Sequence, residues 1–256
     1  MIKPEPSTLP LTSQSPPPLE VYLLGTVDFD EVQTLQRRLA YDLGEVPGAA
    51  LILCEHPPTI SVGRSGSRAH IRADDDELRS MDMPVRWVNR GGGCVLHQPG
   101  QITGYLMLPL PSFGLDLKRY VDGLHRLVID VLAEFDLTGT TLRHTPGVFL
   151  GTGASRVATV GVAVGRWISS HGFTLNVGAY LGPFRLIEEP AESGVPIVRA
   201  TSMEAWRQRP TPMPKVREAV IRRVEAAFGV ERHHVYTSHP LIRRKASVHV
   251  FAASHP

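Results

Sequence analysis

Residues 90–105 read RGGGCVLHQPGQITGY, and the fold turns on how this stretch is parsed. Three glycines, Gly91, Gly92 and Gly93, separate two apolar pieces, Arg86–Asn89 and Cys94–Leu96, and a further strand-like run, Gln101–Leu108, comes after Pro99-Gly100. Glycine lacks a Cβ, so such a connection brings backbone close to another group. Its N–H groups can receive a carboxylate, a phosphate or a carbonyl. Arg90 supplies a fixed cation and His97 an imidazole. The same glycines also suit a hairpin turn that holds nothing. The stretch has neither the Gly-Lys-Ser/Thr of a phosphate loop nor a dinucleotide fingerprint.

Working outward, Val21–Thr26 reads as a strand, and Asp28 with Glu31 opens a helix carrying Val32, Leu35, Leu39 and Leu43, with Gly44 as a stop. Ala49–Cys54 is a buried strand. Asp116 caps a helix with Leu117, Val121, Leu124, Val128, Val131 and Phe135 on one face. Gly147–Leu150, Val157–Val164, Trp167–Ser169 and Gly172–Val177 read as strands, the middle two joined in a hairpin at Gly165-Arg166. Pro214–Phe228 is a last helix with Val216, Val220, Val224 and Phe228 inward and Gly229 at its end. Strands and helices do not alternate, so an α+β domain with a mixed sheet fits better than a doubly wound one. A long loop near Pro190–Pro196 suggests that the chain beyond it forms a small lobe.

The chain has 256 residues, 27 basic against 25 acidic, 42% hydrophobic and 20% charged. That is globular composition. The charge balance argues against a nucleic-acid binder. No apolar run is long enough for a membrane span. Two cysteines, Cys54 and Cys94, form no disulfide framework, so a reduced, cytoplasmic protein is expected. Residues 1–18 hold six prolines and read as a flexible tail, leaving 19–256 as a single domain.

Two more segments can carry chemistry. Glu55-His-Pro-Pro-Thr-Ile-Ser-Val-Gly-Arg64 places two acid–base groups after a buried strand, although a turn locked by the two prolines explains this piece better. His171-Gly172 sets an imidazole beside a bare backbone N–H, although a lone histidine in a sheet is usually structural. No His or Cys pair has metal-ligand spacing. Asp74–Glu77 reads as a solvated helix start and Arg243–Lys245 as a surface patch.

Taken in order, EHPPTISVGR (55–64), RGGGCVLHQPGQITGY (90–105), PGVFL (146–150), RVATVGVAV (156–164), HGFTLNV (171–177) and Pro183-Phe184 resemble the lipoyl(octanoyl) transferase family, within the wider group of lipoate and biotin protein ligases. The resemblance implies a biotin/lipoate ligase catalytic-domain-like mixed sheet flanked by helices. It implies transfer of an octanoyl group from octanoyl-acyl carrier protein to a lysine of lipoyl domains, in 2-oxoacid dehydrogenases or the glycine cleavage H protein, with no cofactor and no metal. It puts the substrate against Arg90, Gly91, Gly92, Gly93, Cys94, Val95, Leu96 and His97, against Thr159, Val160 and Gly161, and against Gly172, Phe173 and Thr174.

Two positions depart from the family pattern. Arg156 stands where the family has a lysine, and Pro190 where it has the thioester-forming cysteine; no cysteine occurs after Cys94. Proline has no nucleophile. Arginine keeps the charge but is a poor base. The expectations are therefore transfer by altered chemistry, with Arg156 orienting the acyl carbonyl and Cys94 as the one alternative nucleophile, or a non-catalytic homologue that binds acyl groups or lipoyl domains. An ATP-dependent ligase fits less well without the lysine. Carrier and acceptor domains are acidic, which marks 222–223 and 243–245 as candidate contacts. No nucleic acid or membrane partner is implied.

Overall fold

The computed structural model describes residues 18–46, 48–142, 145–152, 155–188 and 198–243. The proline-rich stretch through residue 17, the loop holding Pro190, and the pair 244–245 lie outside the described residues. In chain order the elements are β1 (Leu19–Thr26), α1 (Phe29–Glu45), β2 (Ala49–Glu55), β3 (Thr59–Val62), α2 (Asp75–Ser80), β4 (Val85–Trp87), β5 (Cys94–His97), β6 (Gln101–Met107), α3 (Leu117–Ala133), β7 (Gly139–Leu142), β8 (Thr145–Leu150), β9 (Ser155–Gly165), β10 (Ile168–Asn176), β11 (Arg199–Ala200), α4 (Met203–Arg207), α5 (Met213–Phe228) and β12 (His233–Tyr236).

Among the described residues the main sheet runs β12-β1-β2-β6-β10-β9-β8-β7, with β11 beside β9, and a second sheet runs β4-β3-β5. β1 is parallel to β2 and β12, while β2-β6-β10-β9-β8 is antiparallel, so the sheet is mixed. Helices α3 and α5 cover one face. Tyr120, Leu124, Leu127, Val128 and Val131 pack with Val216, Val220 and Val224 and with Leu51, Ile102 and Leu175 of the sheet. Each such side chain stabilises the fold by about 1.5–3 kcal/mol. Helix α1 covers part of the other face through Val32, Leu35 and Leu39 against Ile52, Tyr105 and Met107. The small sheet is tied to the rest of that face, where Gly91 N–H donates to the Val162 carbonyl at 2.8 Å.

Local signals mostly act as read. The Asp28 carboxylate accepts from Asp30 and Glu31 N–H and starts α1, and the Asp116 carboxylate accepts from Arg119 N–H and starts α3. Gly229, at φ +66°, closes α5. Asp74 and Glu77 form a reciprocal capping box at α2. Three readings are corrected. Leu117 is half exposed and Phe135 lies beyond the end of α3, because Tyr120, Leu127 and Leu132 take the inner stripe. The two pieces read around residue 170 are one strand, β10, since Ser170 and His171 pair across to Ala163 and Val162. The segment after residue 198 is no lobe: β12 extends the main sheet beside β1 and α5 packs on α3.

Two glycines separate steric from conformational cost. A Cβ at Gly229 would have no atom within 4 Å, whereas one at Gly147, φ +121°, would lie 2.3 Å from the Ala158 carbonyl oxygen. Gly229→Ala is expected to lose about 1 kcal/mol and Gly147→Ala at least about 2 kcal/mol. Urea denaturation of both variants checks this; equal losses would contradict the close β8–β9 approach.

Candidate functional site

The site grows from the register of β6, β10 and β9. Tyr105, Gly172 and Gly161 lie side by side across the three strands, then Thr103, Thr174 and Thr159, then Gln101 and Asn176 on β6 and β10. Successive side chains alternate faces. These rows therefore share the face that α3 and α5 leave open, while Ile102, Val160 and Leu175 enter the main core. Gly161 and Gly172 leave a trough of bare backbone. Above it come β5, Arg90 and, from α1, Phe29.

This frames an open cleft bordered by Arg90, Val95, His97, Thr159, Gly161, Gly172, Phe173 and Thr174, along with Phe29, Thr103, Tyr105 and His171. A second chamber shares Val95 and Thr159 with it and adds Cys94, Leu96, Gln101, Arg156, Asn176 and Phe184. Three distant segments thus converge, as the sequence motifs require. Arg156 gets there by a β-bulge. It precedes Thr159 by an odd number of residues and would face away in a regular strand. The pairing of β9 with β8 slips between Val148–Ala158 and Phe149–Arg156, leaving Val157 as an extra residue. That slip turns the Arg156 guanidinium to the chamber side, over the Phe149 ring at 5.4 Å.

Other expectations fail. Gly91, Gly92 and Gly93 do not border either chamber, and Val160 points into the core on the opposite face. The glycines serve backbone-to-backbone packing instead. A Cβ at Gly63 would meet the Gly92 carbonyl oxygen at 2.4 Å, and one at Gly161 the Gly91 oxygen at 2.8 Å. Gly63 and Ser65 N–H donate to the Gly93 and Gly92 carbonyls. Glu55 and His56 are likewise committed to structure: the Glu55 carboxylate accepts from Gly100 N–H at 2.9 Å and pairs with Arg217 at 2.8 Å. Arg222 and Arg223 both pair with Glu134, so neither offers an unmatched charge to a partner. Thr103, Tyr105, Gln101 and Asn176 escaped the sequence reading, although the first three sit inside the decisive stretch; only their shared face marks them.

Beside the cavity runs a chain of buried polar groups. Arg90 is 6% exposed, with no carboxylate partner among the described residues. Its Nη1 donates to the Gly91 carbonyl at 3.0 Å, and its Nη2 to the Ser61 carbonyl at 2.9 Å and the Ser61 hydroxyl at 2.8 Å. Burial lowers its pKa to about 10, which leaves it charged at neutral pH. The Ser61 hydroxyl shares a hydrogen bond with His97 Nε2 at 2.8 Å and lies 3.5 Å from the Val95 carbonyl. His56 Nδ1–H donates to the Val27 carbonyl at 2.8 Å, and its Nε2 accepts from the Tyr105 hydroxyl at 2.8 Å. Burial holds His97 neutral, pushing its pKa well below the usual range, and lowers His56 and His171 to about 4. His171 sits at φ +60°, and its N–H donates to the Gln36 side-chain oxygen at 2.6 Å. In the second chamber burial lowers Arg156 to about 10 and raises the Cys94 thiol, whose S–H points to the Ser67 carbonyl at 3.6 Å.

This mixed sheet flanked by helices is the fold of a lipoate-ligase-type catalytic domain. A bipartite lipoate protein ligase from Thermoplasma acidophilum superposes with a TM-score of 0.66 over 86% of this chain and 88% of its own, at 15% identity. Residues 28–225 match the family model of the lipoyl protein ligase A/B catalytic domain, and the chain belongs to that family. It is 35% identical to an octanoyltransferase of Myxococcus xanthus over 84% of this chain and 60% of that protein, so it spans well under two thirds of that relative. It is 38% identical to an octanoyltransferase of Geobacter metallireducens over 78% of this chain and 89% of that one. Among the described residues no helix is long and apolar enough to cross a membrane.

The buried histidines set a pH dependence. Their folded pKa values lie below the unfolded value of about 6.5, so the unfolded chain binds more protons as pH falls from about 6.5 towards 4 and stability is lost across that window. Thermal melts are expected to shift down between pH 7 and pH 4.5. His171→Asn, which tolerates the left-handed backbone, should show a shallower fall. Identical slopes for wild type and variant would contradict a neutral, buried His171.

Proposed function

We propose that this chain transfers a medium-chain acyl group, octanoyl in the first place, from the thioester of an acyl carrier protein to a lysine of a lipoyl domain in a 2-oxoacid dehydrogenase or glycine cleavage H protein. A cytoplasmic location goes with those partners. The reading is supported by the octanoyltransferase relatives, and the observation that carries it is the bulge that turns Arg156 into a chamber sharing Val95 and Thr159 with the glycine-floored trough. The alkyl chain lies along Gly161, Gly172 and the threonine row, with its carbonyl in the second chamber.

With Pro190 at the family's cysteine position and no later cysteine, the step is direct. The acceptor lysine's neutral amine attacks the thioester carbonyl, a C–N bond forms, the C–S bond breaks, and the carrier thiol leaves with the proton the amine gives up. Arg156 stays cationic and donates to the carbonyl oxygen as negative charge develops there. The cleft contributes by holding the two reactants together. Cys94 is a poor nucleophile, because burial raises its thiol and no base touches it among the described residues.

Octanoyl-acyl carrier protein incubated with apo lipoyl domain and this protein should add the octanoyl mass to the domain, with no hydroxylamine-sensitive adduct on this chain. Cys94→Ala should keep the rate within about twofold, and Arg156→Ala should cost on the order of a hundredfold, partly restored in Arg156→Lys. A thioester on Cys94 would overturn direct attack. Tight octanoyl binding without transfer would make the protein a non-catalytic acyl binder.

A further inference from the structure

The deep end of the first chamber carries groups that a plain alkyl chain does not satisfy. His97 and Thr103 are 4% and 3% exposed and both border the cavity. His97 Nδ1 and Thr103 Oγ1 have no hydrogen-bond partner among the described residues. Ser61 takes up His97 Nε2, so Nδ1 is the unused ring nitrogen. A buried polar atom without a partner carries its full desolvation penalty. A pocket built around such groups favours a ligand that completes them and rejects the analogue that does not.

Length places the ligand's end there. Four residues of β10 separate Asn176 from Gly172, which is about 13 Å at ~3.3 Å per residue. An eight-carbon chain, with C–C bonds of about 1.5 Å at tetrahedral angles, spans roughly 9 Å. A chain whose carbonyl lies at the Gln101–Asn176 row beside Arg156 therefore ends between the threonine row and the Tyr105–Gly172 row. That is the level of Thr103. Tyr105 is no substitute partner, because its hydroxyl already donates to His56.

Resting on the acyl reading of the cavity, we propose that the site, besides octanoyl, accepts and holds more tightly an acyl group of that length with a hydroxyl at its far end, which pairs with His97 Nδ1 and Thr103 Oγ1. Isothermal titration of the full-length protein with octanoate, ω-hydroxyoctanoate and lipoate tests it. Wild type should bind ω-hydroxyoctanoate about tenfold more tightly than octanoate. In the near-isosteric Thr103→Val the preference should shrink to within about threefold, with octanoate bound as well as or better than before. His97→Phe should act in the same direction. Octanoate binding wild type as tightly as its hydroxylated analogue, or a preference that survives Thr103→Val, would overturn the proposal. Lipoate as the tightest ligand would replace it with recognition of sulfur. If none of the three binds, the acyl reading of the cavity itself fails, and this inference with it.

Discussion

The register of β10 between β6 and β9 is the constraint on which the rest depends. Along these strands alternate residues serve two incompatible environments. Val160 and Leu175 enter the core under α3 and α5, while Thr159, Gly161, Gly172 and Thr174 form the cavity floor. A slip of one residue would exchange the two sets, placing hydroxyls against Leu124 and Val128 and filling the trough with valine and leucine. The core thus enforces the geometry of the site. The burial that stabilises the domain also keeps the threonine row aligned.

Against that lattice, one of the irregular pairings matters most. Val157 is the extra residue between β8 and β9, and it converts an odd spacing into a shared face for Arg156 and Thr159. The guanidinium then rests over Phe149, where a cation gains from the ring quadrupole and loses hydration. Its pKa falls without reaching neutrality. A charge is thereby kept where a carbonyl can approach, by a side chain that does not readily give up its proton.

The opposite wall solves a different problem. Arg90, Ser61, His97, His56 and Tyr105 are buried polar groups, and such a set is tolerated only when its members satisfy one another. They do so in two runs, Arg90–Ser61–His97 and Tyr105–His56, anchored by the Ser61 and Val27 carbonyls, with only His97 Nδ1 left over among them. That arrangement decides what each histidine can do. Both are held neutral, so neither is a cation and neither is poised to exchange protons at neutral pH.

The sequence by itself determined the main helices, the long strands and the family. The helical stripe Val216, Val220, Val224 and Phe228, the caps Asp28 and Asp116, and the stop Gly229 all act locally, through spacing and dihedral preference, so they were legible without a fold. The ordered motifs carried the membership, and alternation within QITGY and HGFTLNV already held the floor of the site. What only the tertiary structure decided were facing and partnership. The triple glycine pointed to a ligand, but its open backbone is taken up by Gly63, Ser65 and Val162, contacts that exist only once the small sheet docks on β9. Arg156 reaches the chamber through a slip in strand pairing that no spacing rule encodes. His97, marked in the sequence as an imidazole near the ligand, is left with Nδ1 unpaired because Ser61 occupies its other nitrogen. Those outcomes depend on hydrogen bonds between residues far apart in the chain, and a one-dimensional pattern does not carry that information.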